Sequence, residues 1–386
     1  MIPRTLSDKI SGLFTKFPVV ALLGPRQSGK TTLLRHLYPD IPYLSLENPD
    51  VRRFAVEDPR RFLATHGHPC IIDEAQHAPE LFSYLQQVVD ETDRPGLYLI
   101  SGSQHFLLSE RVSQTLAGRV AVLNLLPLSL EELGEDGPPD ADAAMLRGFY
   151  PRLYGNAIDP SDFYPSYIAT YVERDVRLVK NITDLSAFQR FMRLCAGRAG
   201  GLLNLSQLGN DCGITHNTAA AWLSVLEAGF IAFPLPPFHA NYNKRVIKSP
   251  KLYFYDTGLA CSLLGIENTR QLATHPMRGH LFENLIVSEL FKYRLHRGKR
   301  PNCYFWRDKT GNEVDCIIEQ AGRVVPVEIK AGQTINADFL KGLAVFNAIR
   351  GETGGYVVYG GEPEQRRAEA TILRWRDCTR IFADTQ

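Results

Sequence analysis

The sequence predicts an α/β protein with a parallel sheet in its amino-terminal part, a mostly helical middle and a smaller group of strands near its carboxyl end. Up to about residue 135, short apolar runs alternate with stretches of helical spacing, as in strands joined by helical crossovers. Helical spacing dominates from roughly 145 to 270. After about residue 277, one helix precedes two extended stretches.

The chain is long for a single hydrophobic core, since 386 residues are typical of two or three domains. The acidic segment 135–143 is rich in proline and glycine, which makes it a candidate boundary. We therefore expect domains at 1–140, 145–270 and 271–386.

Composition excludes several classes of protein. Hydrophobic residues make up 44% and charged residues 22% of the chain, which excludes a disordered chain. A net charge of +1 gives no global attraction to nucleic acid or acidic membranes, although a basic face can still exist. Seven scattered cysteines without a CxxC pair favour reduced thiols. Because we find neither a signal peptide nor a long apolar run, we expect a cytoplasmic protein without membrane contact.

Five apolar runs are the predicted strands of the amino-terminal sheet. The stretches TTLLRHLY and PELFSYLQQVVDET between them have helical spacing. The runs, in chain order, are FPVVALLG, PYLSL, CIIDEA, LYLISGS and AVLNLLPLS.

The segment GPRQSGKT, residues 24–31, matches the phosphate-binding P-loop pattern G-x-x-x-x-G-K-[ST]. It follows an apolar strand and opens a helix, so backbone N–H groups and the helix amino terminus can face a phosphate. Lys30 would reach the β- and γ-phosphates, and the Thr31 hydroxyl would bind Mg²⁺. The predicted nucleotide-binding residues are Gly24, Pro25, Arg26, Gln27, Ser28, Gly29, Lys30, Thr31 and Thr32.

An acidic pair completes the predicted site. The apolar run CIIDEA ends in Asp73 and Glu74, which places both at the carboxyl end of a strand. There Asp73 can hold Mg²⁺ while Glu74 orients and deprotonates the attacking water. The alternative, acids that merely begin a helix, is weaker because both halves of the pattern occur in the expected order.

Two further residues are candidates for catalysis. LYLISGSQ ends in Ser103 and Gln104, where a polar side chain can sense the γ-phosphate; Ser103 as a simple helix cap is the alternative. Arg119 is a candidate arginine finger or sensor of bound nucleotide, or else an ordinary surface arginine.

The middle region has the outline of a winged helix at about 200–255. A helix near 205–211, a turn at Gly213 and a second helix from about His216 to Ala228 form a helix-turn-helix, and FIAFPLPP begins the wing. The second helix offers no Arg or Lys, which argues against specific DNA reading. Its polar start consists of Thr215, His216, Asn217 and Thr218, and the more basic wing contains Asn243, Lys244, Arg245, Lys248 and Lys251. Packing or protein contact is the alternative to DNA contact.

Four residues near the carboxyl end suggest a second metal site. Glu328 and Lys330 lie two apart on a predicted strand and share a face, and Asp315 joins them if NEVDCII pairs with VVPVEIK. Together with Glu283 on the preceding helix, the carboxylates can bind Mg²⁺ and the lysine can activate water. This order resembles the PD-(D/E)xK nuclease superfamily. A salt-bridged cluster without activity is the alternative.

With these motifs assembled, the chain resembles the AAA+-type ATPases that join an AAA_14 core to a DUF4143 carboxyl-terminal region. The resemblance implies a P-loop NTPase core of the additional-strand (ASCE) type, a winged-helix middle, a PD-(D/E)xK nuclease-like α/β end and self-association. It covers nearly the whole chain. The segments that carry it are LLGPRQSGKTTLL, IIDEAQHAPELF, LISGSQ, SLEEL, YVERDV, FYDTGLACSLLGI, GHLFENLIVSEL, GNEVDCIIE and VPVEIKAG.

These observations predict an ATP-hydrolysing enzyme that uses ATP and Mg²⁺ and couples them to DNA binding or processing. The alternative is an ATP-dependent signalling or scaffold switch acting on a protein partner, with an inert nuclease-like fold. A small-molecule kinase is a weaker third option, because it leaves the carboxyl-terminal half without a role.

Overall fold

The computed structural model describes residues 1–103, 115–156, 158–172, 184–238, 249–320 and 322–384. The chain forms two compact units. The first unit consists of Met1–Leu128, Ala228–Phe230 and Leu295–Lys299, and the second of Ser129–Glu227, Ile231–Arg294 and Arg300–Gln386. The first unit ends at Leu128, earlier than the expected boundary. Apart from Ala228–Phe230 and Leu295–Lys299, the expected middle and carboxyl-terminal domains lie in the second unit, and their division near residue 270 stays a prediction.

The first unit contains a five-stranded sheet in which every pair of neighbours is parallel. Its order is β2-β3-β4-β1-β5, so β4 lies between β1 and β3. All five predicted strands are present, and the predicted parallel sheet is confirmed. The strands are β1 (Val19–Leu23), β2 (Tyr43–Ser45), β3 (Cys70–Asp73), β4 (Tyr98–Gly102) and β5 (Val120–Asn124).

Helices connect these strands, and local sequence fixes where two of them begin. The Asn48 side chain accepts hydrogen bonds from the first turn of α3, and Asp58 caps α4; a proline follows each cap. Apolar residues of α1 and α2 pack on one face of the sheet, including Ile10, Phe14 and Leu33. The helices are α1 (Ser7–Phe14), α2 (Lys30–Leu37), α3 (Pro49–Glu57), α4 (Pro59–His66) and α5 (Leu81–Thr92).

The second unit begins with helices. Its predicted helical candidate at 163–181 is partly present as α9 and a π-helical turn at Ile168–Val172, while 173–183, with most of YVERDV, lies outside the described residues. The helices are α6 (Leu130–Leu133), α7 (Ala141–Arg147), α8 (Pro151–Gly155), α9 (Pro160–Tyr167), α10 (Leu185–Ala196), α11 (Leu205–Cys212), α12 (His216–Ala228), α13 (Thr257–Leu263), α14 (Thr269–Thr274), α15 (Arg278–Leu295), α16 (Lys341–Arg350) and α17 (Ile381–Asp384).

Helices α11 and α12 lie where the sequence predicted a helix-turn-helix. Gly213 ends α11 with φ +76°, a left-handed conformation that glycine adopts without steric cost. After α12, β6 (Ala232–Leu235) pairs antiparallel with β7 (Lys251–Phe254). These elements are in the predicted order, and their assignment as a winged helix stays a prediction.

A mixed six-stranded sheet forms the carboxyl-terminal part of the second unit, in the order β12-β13-β11-β10-β9-β8. The two extended stretches pair as neighbouring strands, the arrangement considered from the sequence; they are β9 and β10, which run antiparallel with Val327 opposite Cys316. Helix α16 packs on this sheet through Leu343 and Phe346. The strands are β8 (Cys303–Arg307), β9 (Glu313–Gln320), β10 (Arg323–Lys330), β11 (Tyr356–Tyr359), β12 (Gln365–Arg366) and β13 (Thr371–Arg374).

Among the helices that the structure describes, none combines the length and the apolar character needed to cross a membrane.

Candidate nucleotide site

The loop between β1 and α2 has the backbone of a phosphate cradle. Gly24 has φ +156°, and a Cβ there would lie 2.1 Å from the Leu125 carbonyl oxygen, so only glycine fits. Gln27 at φ +61° and Gly29 at φ +94° also have left-handed backbones, and Gly29 is the N-cap of α2. Left-handed residues within such a loop turn successive N–H groups toward one concavity.

Side chains of the loop fit an anionic ligand. The Lys30 ammonium donates to the carbonyl oxygens of Gly24 and Pro25, each at 2.9 Å. The Ser28 hydroxyl and the Gln27 side-chain oxygen are buried without a hydrogen-bond partner. Buried polar groups of this kind normally have a partner, so at this position they are available to a ligand. The residues present therefore fit a nucleotide phosphate, while Thr32, next along α2, is exposed.

Asp73 ends β3 beside this loop and is surrounded by hydroxyl donors. Its Oδ2 accepts from Thr31 Oγ1 at 2.8 Å and from the Tyr43 hydroxyl at 2.6 Å. The Ser101 hydroxyl donates to Oδ1. Burial, followed by the Asp73 hydrogen bond and charge, raises the pKa of Tyr43 well above its ordinary value. Hydroxyl and carboxylate oxygens are the ligands that Mg²⁺ prefers, so Thr31 and Asp73 fit a magnesium ion.

Glu74 follows in a left-handed backbone conformation, with φ 53° and ψ 45°, which is uncommon for a residue other than glycine. Its Oε2 accepts a hydrogen bond from the Ser103 hydroxyl at 2.9 Å and another from Gln76 Nε2. Gln76 Nε2 also lies 3.2 Å from Ser103 Oγ. The structure thus brings the predicted Glu74 and Ser103 together at the carboxyl ends of neighbouring strands.

Four residues around the loop were missed by sequence reasoning. Arg4 lies before the motif, yet its buried guanidinium donates to the Ser28 carbonyl at 2.7 Å and the Leu126 carbonyl at 2.6 Å. Tyr43, Ser101 and Gln76 supply the donors described above. The only signal for Ser101 was its position near the end of the predicted strand, two residues before Ser103; Arg4 and Tyr43 gave none.

Arg119 is not brought to this site. It precedes β5 at the edge where β1 and β5 begin, and its carbonyl oxygen accepts from Val19 N. Its guanidinium pairs with Asp90 of α5. The phosphate loop follows the opposite ends of these parallel strands, so Arg119 does not fit a finger or sensor for the nucleotide of its own chain. Gln104 lies outside the described residues.

The second unit contains a cluster of ion pairs that we call the carboxylate–lysine cluster. Lys251 Nζ lies 2.8 Å from Glu283 Oε1 and 2.5 Å from Glu313 Oε1. Lys330 Nζ lies 3.0 Å from Asp315 Oδ2 and 2.5 Å from Glu328 Oε2. The cluster consists of Lys251, Glu283, Glu313, Asp315, Glu328 and Lys330.

Protonation is divided unevenly within this cluster. Burial, and then the Asp315 charge, raises the pKa of Glu283 to about 7 and that of Glu328 to about 8. Burial opposes the charge on Asp315, but the charges of Lys330 and Lys251 hold its pKa below the ordinary value. Because Glu328 takes up a proton more readily than Asp315, the charge of Lys330 is balanced mainly by Asp315.

The predicted second metal site is therefore not an open ligand set. All four predicted residues come together, but each of the carboxylates Glu283, Asp315 and Glu328 is paired with a lysine. Within the ranges that the structure describes, no group of three or more His, Cys, Asp or Glu side chains is arranged to hold a metal ion. The arrangement agrees with the alternative expected from the sequence, a salt-bridged cluster.

The structure also corrects the prediction of a basic wing. Lys251 is 2% exposed and belongs to the carboxylate–lysine cluster, so its assignment to a basic DNA-facing surface was wrong. The polar start of α12 is accessible, since Thr215, His216 and Asn217 are exposed and Thr218 is half-buried. The other predicted wing residues, Asn243, Lys244, Arg245 and Lys248, lie outside the described residues.

Together, the phosphate loop, the parallel sheet with its inserted strand β4 and the acids that follow β3 define a P-loop ATPase. Family models agree along the chain. The AAA domain model AAA_14 matches residues 16–134, a domain of unknown function (DUF8612) matches 139–270, and another (DUF4143) matches 278–377. The chain belongs to the family of AAA-type ATPases with a DUF4143 carboxyl-terminal region.

Relatives and solved structures extend this comparison. Uncharacterized proteins of Mycobacterium bovis and Mycobacterium tuberculosis are each 34% identical over 337 residues, covering 86% of this chain and 74% of the relative. A Walker-type ATPase of Pyrococcus abyssi has a TM-score of 0.47 at 15% identity, covering 68% of this chain and 96% of its own. AMPPCP-bound DnaA from Aquifex aeolicus has a TM-score of 0.30 at 13% identity, covering 57% and 85%. Scores this low carry no functional conclusion.

Proposed function

We propose that this protein binds ATP with Mg²⁺ at the loop 24–31 and hydrolyses it. The observation that carries the proposal is the junction of Thr31 with Asp73 beside Glu74, at the edge of the sheet where the phosphate loop begins. Sequence signals of guanine recognition are not evident, which favours ATP. In this assignment Thr31 and Asp73 hold the magnesium ion, which neutralises phosphate charge when bound.

The protein's own side chains carry out the remaining steps of the proposed reaction. Lys30 exchanges its two loop carbonyls for phosphate oxygens, a stronger charge-assisted interaction. Glu74 accepts a proton from the attacking water through its carboxylate. Ser103 and Gln76, which donate to Glu74 Oε2, fix the direction of that carboxylate. Arg4 stabilises the loop by donating a hydrogen bond to the Ser28 carbonyl oxygen.

We further propose that ATP is coupled to DNA binding or processing through the second unit. Support comes from the exposed polar start of α12 and from the strand order that places Asp315, Glu328 and Lys330 together. The alternative, a switch acting on a protein partner, is favoured by one specific observation: the lysine pairing of the nuclease-like carboxylates. Self-association and a cytoplasmic location also stay predictions.

The first experiment measures ATP hydrolysis with Mg²⁺, alone and with single-stranded DNA, duplex DNA or RNA. Stimulation by one nucleic acid that is lost in Lys30→Ala and Glu74→Gln supports coupling to that nucleic acid. Hydrolysis indifferent to all of them favours the protein-partner switch. Absence of both hydrolysis and nucleotide binding in the wild type contradicts the proposed activity.

A second experiment addresses the carboxylate–lysine cluster. DNA is incubated with the protein and Mg²⁺ or Mn²⁺, and Asp315→Ala serves as the comparison. Cleavage that disappears in this variant supports a nuclease role. If wild type and variant leave the DNA equally intact, the cluster is structural and the switch gains support. Light scattering with and without nucleotide tests self-association.

A further inference from the structure

One arginine of the phosphate loop, Arg26, extends past the carboxyl ends of the strands to contact Glu47, which follows β2. Arg26 is the third residue of the loop, and its guanidinium Nη1 lies 3.1 Å from Glu47 Oε1. The arginine side chain is 8% exposed, whereas the Glu47 side chain is 53% exposed. A nearly buried cation therefore faces a partner that remains half in water.

Glu47 is held close to the catalytic acids. It follows β2, and the N–H of the preceding Leu46 donates to the Asp73 carbonyl oxygen at 3.0 Å. The Glu47 N–H lies 3.3 Å from Ser45 Oγ. Since β2 and β3 are parallel neighbours, Glu47 and Glu74 leave the sheet at the same edge. The Arg26 guanidinium consequently lies on the Glu74 side of the loop.

His77 lies among the same charged groups. It ends the short helical turn that follows Glu74, and burial lowers its pKa while the charges of Glu74, Arg26 and Glu47 also act on it. Arg26 and Glu74 thus both lie near His77. Arg52 of α3 also acts on His77, but it lies on a helix and not on the phosphate loop.

We propose that Arg26 stabilises the γ-phosphate as it is transferred, and that Glu47 restrains this arginine until the nucleotide binds. The inference rests on the proposed ATPase function. In this role Arg26 supplies positive charge from within the loop. Arg119 cannot do so for the nucleotide of its own chain, because it lies where β1 and β5 begin. An ion pair with a half-exposed carboxylate is weak, whereas a guanidinium binds phosphate oxygens through strong bidentate hydrogen bonds. Exchange of Glu47 for the γ-phosphate is therefore favourable.

The exchange also gives specificity. ADP lacks the γ-phosphate, so it leaves the pair of Arg26 and Glu47 intact. Binding of ATP releases Glu47, which directly precedes Asn48, the N-cap of α3. The state of the nucleotide is thereby transmitted to the start of that helix.

The test compares hydrolysis with binding of ADP and of AMPPCP, measured by calorimetry. Arg26→Ala is expected to lower kcat by about 10²–10³-fold, the lower part of the range for removal of a transition-state arginine or donor. The same variant should bind AMPPCP about tenfold or more weakly, while its affinity for ADP stays unchanged. Glu47→Gln should bind AMPPCP a few-fold more tightly, because the competing pair is gone.

Two controls separate this role from a structural one. Arg26→Lys keeps the charge but loses bidentate geometry, so intermediate activity is expected. Arg52→Ala removes the other arginine near His77 and should retain kcat. The proposal is overturned if Arg26→Ala retains kcat, if it weakens ADP as much as AMPPCP, if Arg52→Ala is the inactive variant, or if Glu47→Gln loses as much activity as Arg26→Ala. A wild type that binds neither nucleotide contradicts the proposed function itself, whereas normal binding with an unaffected Arg26→Ala contradicts only this inference.

Discussion

The phosphate site of the first unit and the carboxylate–lysine cluster of the second both contain acidic side chains, at the end of β3 in the first and on the neighbouring strands β9 and β10 in the second, but these acids have different partners. Asp73 and Glu74 accept hydrogen bonds from neutral groups, such as Thr31 and Ser103. In the second unit, Asp315 and its neighbours face lysine ammonium groups. Neutral donors orient a carboxylate and leave its charge available to a cation, whereas a lysine already balances that charge.

The comparison shows that the type of acidic residue does not by itself decide whether a site can bind a metal ion. In the first unit the motif lysine, Lys30, donates to the backbone carbonyl oxygens of Gly24 and Pro25. In the second unit, the buried Lys251 and the partly exposed Lys330 are each paired with carboxylates. The four predictions below test this difference, beginning with the largest effect.

Substituting Glu74 should have the largest effect on activity. Glu74→Gln retains the shape of the side chain but removes the base, so the rate of ATP hydrolysis should fall by about 10²–10⁴-fold with nucleotide binding kept. Steady-state phosphate release measures the rate. Glu91→Gln, which changes an exposed acid on α5 of the same unit, is the matched control and should retain the wild-type rate. Equal rates in wild type and Glu74→Gln would exclude Glu74 as the base.

Breaking the cluster should reduce stability. Lys251→Met leaves Glu283 and Glu313 without their shared partner, and such a loss costs about 3–5 kcal/mol in a buried pair. All three tryptophans, Trp222, Trp306 and Trp375, belong to the second unit, so their fluorescence during urea unfolding reports on it specifically.

The matched control for that variant is Lys341→Met. Lys341 pairs with Asp338, and both side chains are more than two-thirds exposed, at 76% and 71%. An exposed pair contributes about 0–1 kcal/mol. Similar losses in both variants would show that the cluster is no more important than a surface ion pair.

The second unit should lose stability as pH rises. The pKa values of Glu283 and Glu328 are raised from 4.5 to about 7 and about 8, so the folded state binds more protons than the unfolded state between pH 4.5 and 8. Their contribution is fully present below pH 4.5 and disappears as pH passes through 7 and 8, with a slope of at most about 1.4 kcal/mol per pH unit for each proton.

Tryptophan-monitored unfolding between pH 5 and 8 measures this slope. Glu328→Gln removes one of the two groups and should flatten the curve, most clearly above pH 7. Asp315, whose pKa is lowered from 3.8, contributes only in more acidic solution and does not mask the effect. A slope unchanged in the variant would contradict the assigned protonation.

Removing one donor from Asp73 should have the smallest effect. Tyr43→Phe deletes the hydroxyl that donates at 2.6 Å, and a hydrogen bond contributes about 0.5–1.5 kcal/mol. The Mg²⁺ concentration for half-maximal hydrolysis should therefore change by about two- to tenfold. Tyr38→Phe, whose hydroxyl neighbours Ser11, is the control. An equal response to Mg²⁺ in both variants would remove Tyr43 from the site.

Sequence patterns were sufficient for much of the fold because they depend on local periodicity. Alternating strands and helices predicted all five strands of the first sheet, and the helix predicted after about residue 277 is present as α15, Arg278–Leu295. The P-loop motif and the acid at the end of CIIDEA predicted that Thr31 and Asp73 serve one site, and their side chains lie 2.8 Å apart although β4 separates β1 from β3. Arg119 could not be judged in this way. Because Arg119 belongs to no motif, only its position in the folded sheet shows whether it can reach the nucleotide.

The alternation of strands and helices, the phosphate loop and the order of the acidic residues could be predicted from the sequence alone, because each depends on residues close together in the chain. The partners of those acids depend on the packing of distant segments. Tyr43 reaches Asp73 across 30 residues of chain, and Lys251 reaches Glu283 across 32. Whether a carboxylate meets a hydroxyl or an ammonium group depends on how strands and helices pack, and no local pattern records that choice.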